Sequence, residues 1–200
     1  KLMKEEKSDE ELCRAFVAGR AEAFDALVLR HQDLAYGLCL RMLGDREDAD
    51  ECAQDVFVKI HQALPRFEFR SKFTTWLYRI AMNVCKNRID SAAFRRKKEE
   101  RALPEGLDFV DSRGPEKERE NKELGEILER GLAELSESDR SLVVLRDVED
   151  VSYEEIAAAL HLELGTVKSR LFRAREKLRL IVEGIMDPVP EKKKTKVKTA

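Results

Sequence analysis

An all-α architecture, with two small helical domains joined by a flexible linker, follows from three features of the sequence. Apolar residues recur at spacings of three and four along most of the chain. Ser followed three residues later by Glu marks two helix starts, at Ser8/Glu11 and Ser152/Glu155. A mid-chain stretch loses all periodicity while charges of both signs alternate around Pro104, Gly106, Gly114 and Pro115. Only the short apolar run at 142–145 reads as ambiguous with a strand. These signals divide the chain into a four-helix domain at 8–96, a linker at 97–120, a helical domain at 121–185 and a basic, apolar-poor tail at 186–200 that is expected to be disordered.

The capping pattern at Ser8 opens a first helix with Leu12, Phe16 and Val17 on one side, expected to stop near Gly19. The second carries Phe24, Leu27, Val28, His31, Leu34, Leu38 and Met42 on one stripe, and Gly44 supplies its stop. A lone histidine on such a stripe reads as packed rather than as a ligand. The third, at 46–64, turns Ala49, Ala53, Val56, Phe57 and Ile60 inward. It shows Glu47, Asp48, Asp50, Glu51 and Asp55 near its start, and Pro65 ends it. After a loop at 67–72, the fourth helix is expected at 73–96, with Trp76, Leu77, Ile80, Ala81 and Val84 inward. In the second domain Leu124, Ile127, Leu128, Leu132 and Leu135 mark a helix, and Ser136 is placed to cap the next.

Composition bounds the function. The 38 Lys and Arg nearly balance the 40 Asp and Glu, so any attraction to nucleic acid must come from local clustering. No apolar run approaches the roughly 20 residues of a membrane helix, and no signal-peptide pattern opens the chain, so the cytoplasm is expected. Lys1 and Leu2 precede the first Met and read as a cloning remnant. Cys13, Cys39, Cys52 and Cys85 are widely spaced without a CxxC pair, which argues for buried thiols in a reducing compartment and against zinc. Scattered histidines, no glycine-rich phosphate loop and no nucleophile motif argue against an enzyme; neither catalytic residues, metal nor cofactor is expected.

The clearest motif is a helix-turn-helix. SYEEIAAAL supplies a short scaffold helix whose small alanines admit a close neighbour. After the turn HLELG, Thr166 is expected to cap a second helix with Val167, Leu171, Ala174, Leu178 and Ile181 inward. Ser169, Phe172 and Arg173 fall on the opposite face, flanked by Lys168 and Arg175, with Arg170 near the front. Residues 163–182 hold six Lys or Arg against two Glu, a local charge of plus four that suits phosphates and base edges in a major groove.

A second signal lies in FEFRSKFTTWLYRIAMNVCKNRID. Phe67, Phe69, Phe73, Trp76 and Tyr78 are interleaved with Arg70, Lys72, Arg79, Lys86 and Arg88. Rings for stacking and cations for the backbone suit single-stranded DNA, and Asn83 and Asn87 add amides able to read a base edge. Trp76 by itself reads as a core residue before it reads as a base contact. A duplex-binding module tethered to a single-strand module suits a protein that holds DNA while a strand opens.

DADECAQDVFVKIHQAL, FTTWLYRIAMNVCKNRID, SYEEIAAAL and LGTVKSRLFRAREKL, in that order, resemble bacterial sigma factors of the extracytoplasmic-function (ECF) group of the sigma-70 family. The likeness spans 8–96 and 121–182. It implies a region 2 domain that docks on core RNA polymerase through Asp48, Asp50, Glu51, Gln54 and Asp55. It implies that the loop with Phe67, Phe69, Arg70, Ser71 and Lys72 receives a flipped base of the minus-ten element. Trp76, Arg79, Asn83 and Asn87 belong to the adjoining helix. The region 4 domain would read the minus-thirty-five element with Thr166, Lys168, Ser169, Arg170, Phe172, Arg173 and Arg175. Cys52, where a small apolar residue is usual, and the second Phe of the 67–70 loop depart from the family pattern. Promoter DNA, core polymerase and an anti-sigma factor are the implied partners. The competing reading is a stand-alone helix-turn-helix regulator, which binds duplex DNA without polymerase.

Overall fold

The computed structural model describes residues 7–91, 94 and 115–187, with side chains from 124 onward in the last span. No strand occurs among the described residues, and 142–145 is helical. The first unit packs α1 (Asp9–Val17), α2 (Glu22–Leu43), α3 (Arg46–Ala63) and α4 (Phe73–Asp90), with a 3-10 turn at Leu64–Arg66. The second holds α5 (Pro115–Glu134), α6 (Glu137–Val143), a π-helical turn at Val144–Val148, α7 (Tyr153–Leu160) and α8 (Leu164–Met186).

Local chemistry starts and stops these helices. Ser8 Oγ accepts from the Glu11 amide at 3.3 Å while Glu11 accepts from the Ser8 amide at 2.7 Å, which completes the capping box. Gly44 ends α2 in the left-handed conformation at φ 68°, and Asp45 then caps α3 by accepting from the Asp48 amide at 2.9 Å. Leu27, Leu38, Met42, Val56, Ile60, Leu64 and Leu77 are fully buried and form the first core. His31 is buried too, 2.9 Å from Asp9 and packed on the Phe73 ring, so it ties α1 and α4 to α2.

Two expectations about boundaries are corrected. The fourth helix ends at Asp90 rather than at 96, because Ser91 turns extended and its hydroxyl accepts from the Phe94 amide at 3.2 Å. Pro115 begins α5 instead of interrupting a helix, since the first helical position needs no amide donor; helix therefore replaces linker over 115–120. Helix α8 runs through Met186, and the expected tail at 188–200 and linker at 97–114 lie outside the described residues.

Ser136 caps α6 as expected, accepting from the Asp139 amide at 3.3 Å. Leu142, Val144, Leu145, Ile156, Val167 and Leu171 make the second core. Gly131 lets α5 approach α8 closely, because a Cβ there would stand 3.0 Å from Leu178 and Val182.

The two units pack against each other, chiefly α2 and α4 of the first against the second. Arg41 pairs with Glu149 at 2.9 Å, Lys72 with Glu155 at 2.9 Å, and Thr75 lies 3.5 Å from Glu155. Burial pushes the Glu149 carboxyl up, and Arg41 opposes that. Arg140, only 7% exposed, donates to the Met42 carbonyl across the boundary and to Ala133 and Leu135 at 2.7 and 3.1 Å.

Candidate nucleic-acid interface

The helix-turn-helix is built from α7, a three-residue turn and α8. Ser152 Oγ accepts from the Glu155 amide at 3.2 Å, and Glu155 accepts in return from the Ser152 amide at 3.3 Å. His161 ends α7 in the left-handed conformation, φ 53°, and the Leu162 amide donates back to Ala157 at 3.0 Å. This tight turn restores helical backbone by Leu164, so Thr166 lies inside the first turn of α8 and is not its cap. Glu163 holds the cap position without a side-chain bond, and its carbonyl accepts from the Val167 amide at 3.0 Å.

Val167, Leu171 and Ala174 are buried and Leu178 and Ile181 half-buried, which fixes the opposite face outward. Lys168, Ser169, Phe172 and Arg173 come together there, all exposed, with Thr166 half-buried at the front. Phe172 is 69% exposed, an apolar surface without core partners on a cationic face. Arg173 donates from Nε to the Ser169 carbonyl one turn back on the same helix at 3.3 Å. Arg170 and Arg175 turn sideways: Arg170 donates to Ser138 at 3.0 Å, and Arg175 makes a two-pronged pair with Asp147, one arm 3.0 Å. They stiffen the helix against α6 and the π turn as much as they add charge.

In the first unit the loop at 67–72 and α4 form one surface. Phe67 stacks on Trp76 with centroids 4.6 Å apart and planes 19° apart, and Phe69 lies 4.9 Å from Phe67. Trp76 is 6% exposed, so it supports the stack from beneath and offers no free face to a base. Phe69 has φ 55°, a left-handed conformation costly for a bulky residue. Ser71 is exposed; Arg70 reaches solvent with Glu68 at 2.8 Å, and Lys72 is taken up by Glu155. Arg79, half-buried, and the exposed Asn83 and Asn87 follow at intervals of four along one face of α4.

On α3, Asp50, Glu51, Gln54 and Asp55 are exposed, whereas Asp48 is buried. The Asp48 carboxylate faces Arg88 of α4 at 3.6 Å, and Arg88 also bonds Glu51. Asp48 thus pins α3 to α4 and stands apart from the outer acidic face.

Sequence reasoning missed Arg14, whose guanidinium sits 4.4 Å over the Phe69 ring, and missed the pairing of Lys72 with the scaffold helix. Both are contacts between segments distant in the chain, and spacing along one helix carries no signal for them. Among the described residues no His, Cys, Asp or Glu group is arranged to hold a metal, and no helix is long and apolar enough to cross a membrane.

A cationic helix-turn-helix beside a four-helix unit with an aromatic loop defines a two-site DNA-binding transcription factor. Residues 27–95 match the family model of sigma-70 region 2, and residues 125–178 match that of sigma-70 region 4. The RNA polymerase sigma-H factor of Pseudomonas aeruginosa is 36% identical over 178 residues, covering 86% of this chain and 92% of that protein. The ECF RNA polymerase sigma-E factor of Haemophilus influenzae is 35% identical over 191 residues, 92% of this chain and all of that one. Among solved structures, CnrH in complex with the cytosolic domain of CnrY aligns with a TM-score of 0.64 and 27% identity, covering 89% of this chain and 99% of that chain. The chain belongs to the ECF sigma factors of the sigma-70 family. It directs RNA polymerase to promoters, and the stand-alone regulator is not favoured.

Proposed function

We propose that the work is divided among three surfaces. The outer face of α3, with Asp50, Glu51, Gln54 and Asp55, docks on core polymerase, and Asp48 acts only by holding α4 in place. The loop with Phe67, Phe69, Arg70, Ser71 and Lys72 takes the displaced minus-ten strand, with Arg79, Asn83 and Asn87 beside it and Trp76 beneath. The α8 face with Lys168, Ser169, Phe172 and Arg173 enters the major groove of the minus-thirty-five element. Thr166 stands at its edge, and Arg170 and Arg175 contribute field and stiffness. The protein itself makes and breaks no covalent bond, it works in the cytoplasm, and an anti-sigma protein restrains it.

The observation that carries this reading is the exposed ring of Phe172 between Lys168, Ser169 and Arg173 on the second helix of a helix-turn-helix. Run-off transcription from candidate promoters with core polymerase, with and without this chain, tests it. Tight, promoter-specific binding to duplex DNA in the absence of polymerase would overturn it.

Arg173→Ala is expected to weaken promoter recognition by about 2 kcal/mol and to lower the salt dependence of binding. Filter binding of the holoenzyme at several salt concentrations reads both quantities, and an unchanged slope with unchanged affinity removes Arg173 from the interface.

The pairing of Lys72 with Glu155 responds to acid. The hydrogen bond from Lys72, ahead of those from Ser152, holds the Glu155 carboxyl below its ordinary value of 4.5 against burial. A lowered folded value makes the stabilisation complete above the ordinary value and lost as pH falls through the lowered one. Fluorescence transfer between dyes on the two units is therefore expected to be flat near neutrality and to fall below about pH 4.5. Glu155→Gln removes the Glu155 part of that fall and leaves the part that follows protonation of Glu149, whose raised carboxyl pairs with Arg41 across the same boundary.

A further inference from the structure

Helix α8 carries its positive charge in two arrangements. At the front, Lys168, Arg170 and Arg173 pair with no carboxylate among the described residues. Lys168 stands 5.8 Å from the centre of the Tyr153 ring, and Arg170 and Arg173 donate to neutral oxygens of Ser138 and Ser169. From the next turn on, each cation meets a carboxylate. Arg175 is gripped on two arms by Asp147 of the π turn, and Lys177 pairs with Asp139 of α6 at 2.5 Å. Arg179 pairs with Glu176 and Glu183 at 3.1 and 2.6 Å within α8 itself.

The first two of these pairs bear on DNA. Arg175 follows Lys168 by two helical turns, and Lys177 follows Arg173 by one, so the two cations continue both edges of the reading face toward the C-terminus. A recognition helix meets base edges with its N-terminal turns, and cations further along it face phosphates. Phosphate contacts raise affinity for any duplex and carry no sequence choice of their own. The opposing carboxylates are fixed from outside the helix. Asp139 is 7% exposed, and Asp147 belongs to a turn in which Arg146 is anchored on Asp150 and on the Val151 carbonyl at 2.9 and 3.0 Å. If Arg175 or Lys177 swung out to a phosphate, a carboxylate would be left facing the same anion. The two aspartates therefore oppose phosphate binding in either pose.

We propose that Asp147 and Asp139 determine the discrimination of the helix-turn-helix: they hold Arg175 and Lys177 off the phosphates, so that affinity for arbitrary duplex stays low while the front of α8 reads bases. They are positioning residues and touch no DNA. The inference rests on the reading of α8 as the helix that enters the major groove.

The test uses the full chain and a fluorescent duplex of about 30 base pairs of arbitrary sequence, with anisotropy read across a range of salt. Asp147→Asn is expected to bind this duplex about fivefold more tightly at 0.1 M salt and to steepen the slope of log affinity against log salt by about 0.9. Adding Arg175→Gln to Asp147→Asn is expected to cancel both gains. A purely structural role for Asp147 predicts the opposite sign, weaker binding together with a lowered denaturation midpoint. Weaker binding, or a gain that survives Arg175→Gln, overturns the proposal. Arg173→Ala in the holoenzyme separates the two claims. If Arg173→Ala weakens promoter recognition and Asp147→Asn leaves affinity and slope unchanged, the role of the aspartates is overturned and the reading of α8 stands. If neither variant has an effect, both are overturned.

Discussion

Replacing Trp76 with Ala is expected to lower the stability of the chain by about 4 kcal/mol, the range for truncating a buried aromatic. The indole is 6% exposed, meets Phe73 edge-on at 6.1 Å and carries Phe67 on its face at 4.6 Å. Its removal opens a void under α4 and takes away the plane on which the 67–72 loop rests. Trp76 is the sole tryptophan, so the change is followed by circular dichroism in urea and not by intrinsic fluorescence. A lowered midpoint with an unchanged denaturant slope is expected; an unchanged midpoint would mean that Trp76 is not core. Trp76→Phe keeps a ring and is expected to recover most of the loss.

Arg140→Ala is expected to cost about 3 kcal/mol, because hydrogen bonds from a charged donor are each worth roughly 1.5 to 3 kcal/mol and do not add fully. Its guanidinium is buried, pairs with no carboxylate among the described residues, and is held by the carbonyls of Ala133, Leu135 and Met42. Ala133 lies in the last turn of α5, Leu135 just beyond it, and Met42 in the last turn of α2; these are helix ends whose carbonyls have no partner of their own. Burial lowers the pKa of Arg140, with Glu137 and Glu134 opposing, as expected for a charge taken from water. Chemical denaturation of the full chain reads the loss. Arg140→Met, which keeps the stem, is expected to lose nearly as much, because the carbonyls are what it leaves unserved.

Local chemistry made much of this fold readable in the sequence. The capping boxes at Ser8 and Ser152 and the left-handed Gly44 need only neighbours within a few residues, and each stands where the sequence places it. The inward stripe of α8 is equally legible, because burial follows helical period. The misplaced boundaries have local causes that compete with stronger-looking ones. Ser91 breaks α4 inside a run that continues to look helical, and Pro115 reads as a breaker until it is seen to be first in its helix. Among the interface residues, side-chain partners decided the outcome. Arg175, Lys72 and Asp48 have the right type and position, yet each is engaged by a residue from another element: Asp147, Glu155 and Arg88. No periodicity reveals such pairs, since they form only once the helices are assembled.

The four sulfhydryls give this two-part molecule an internal clock. Cys13, Cys39, Cys52 and Cys85 all lie in the first unit and are all buried, and burial pushes Cys13 up to about 12. The second unit contributes none, as the sequence shows. Alkylation by iodoacetamide at neutral pH, which needs an accessible thiolate, therefore counts openings of the first unit alone. Exchange of backbone amides reports on both halves. The difference between the two rates tells whether the halves come apart as one cooperative body or in succession.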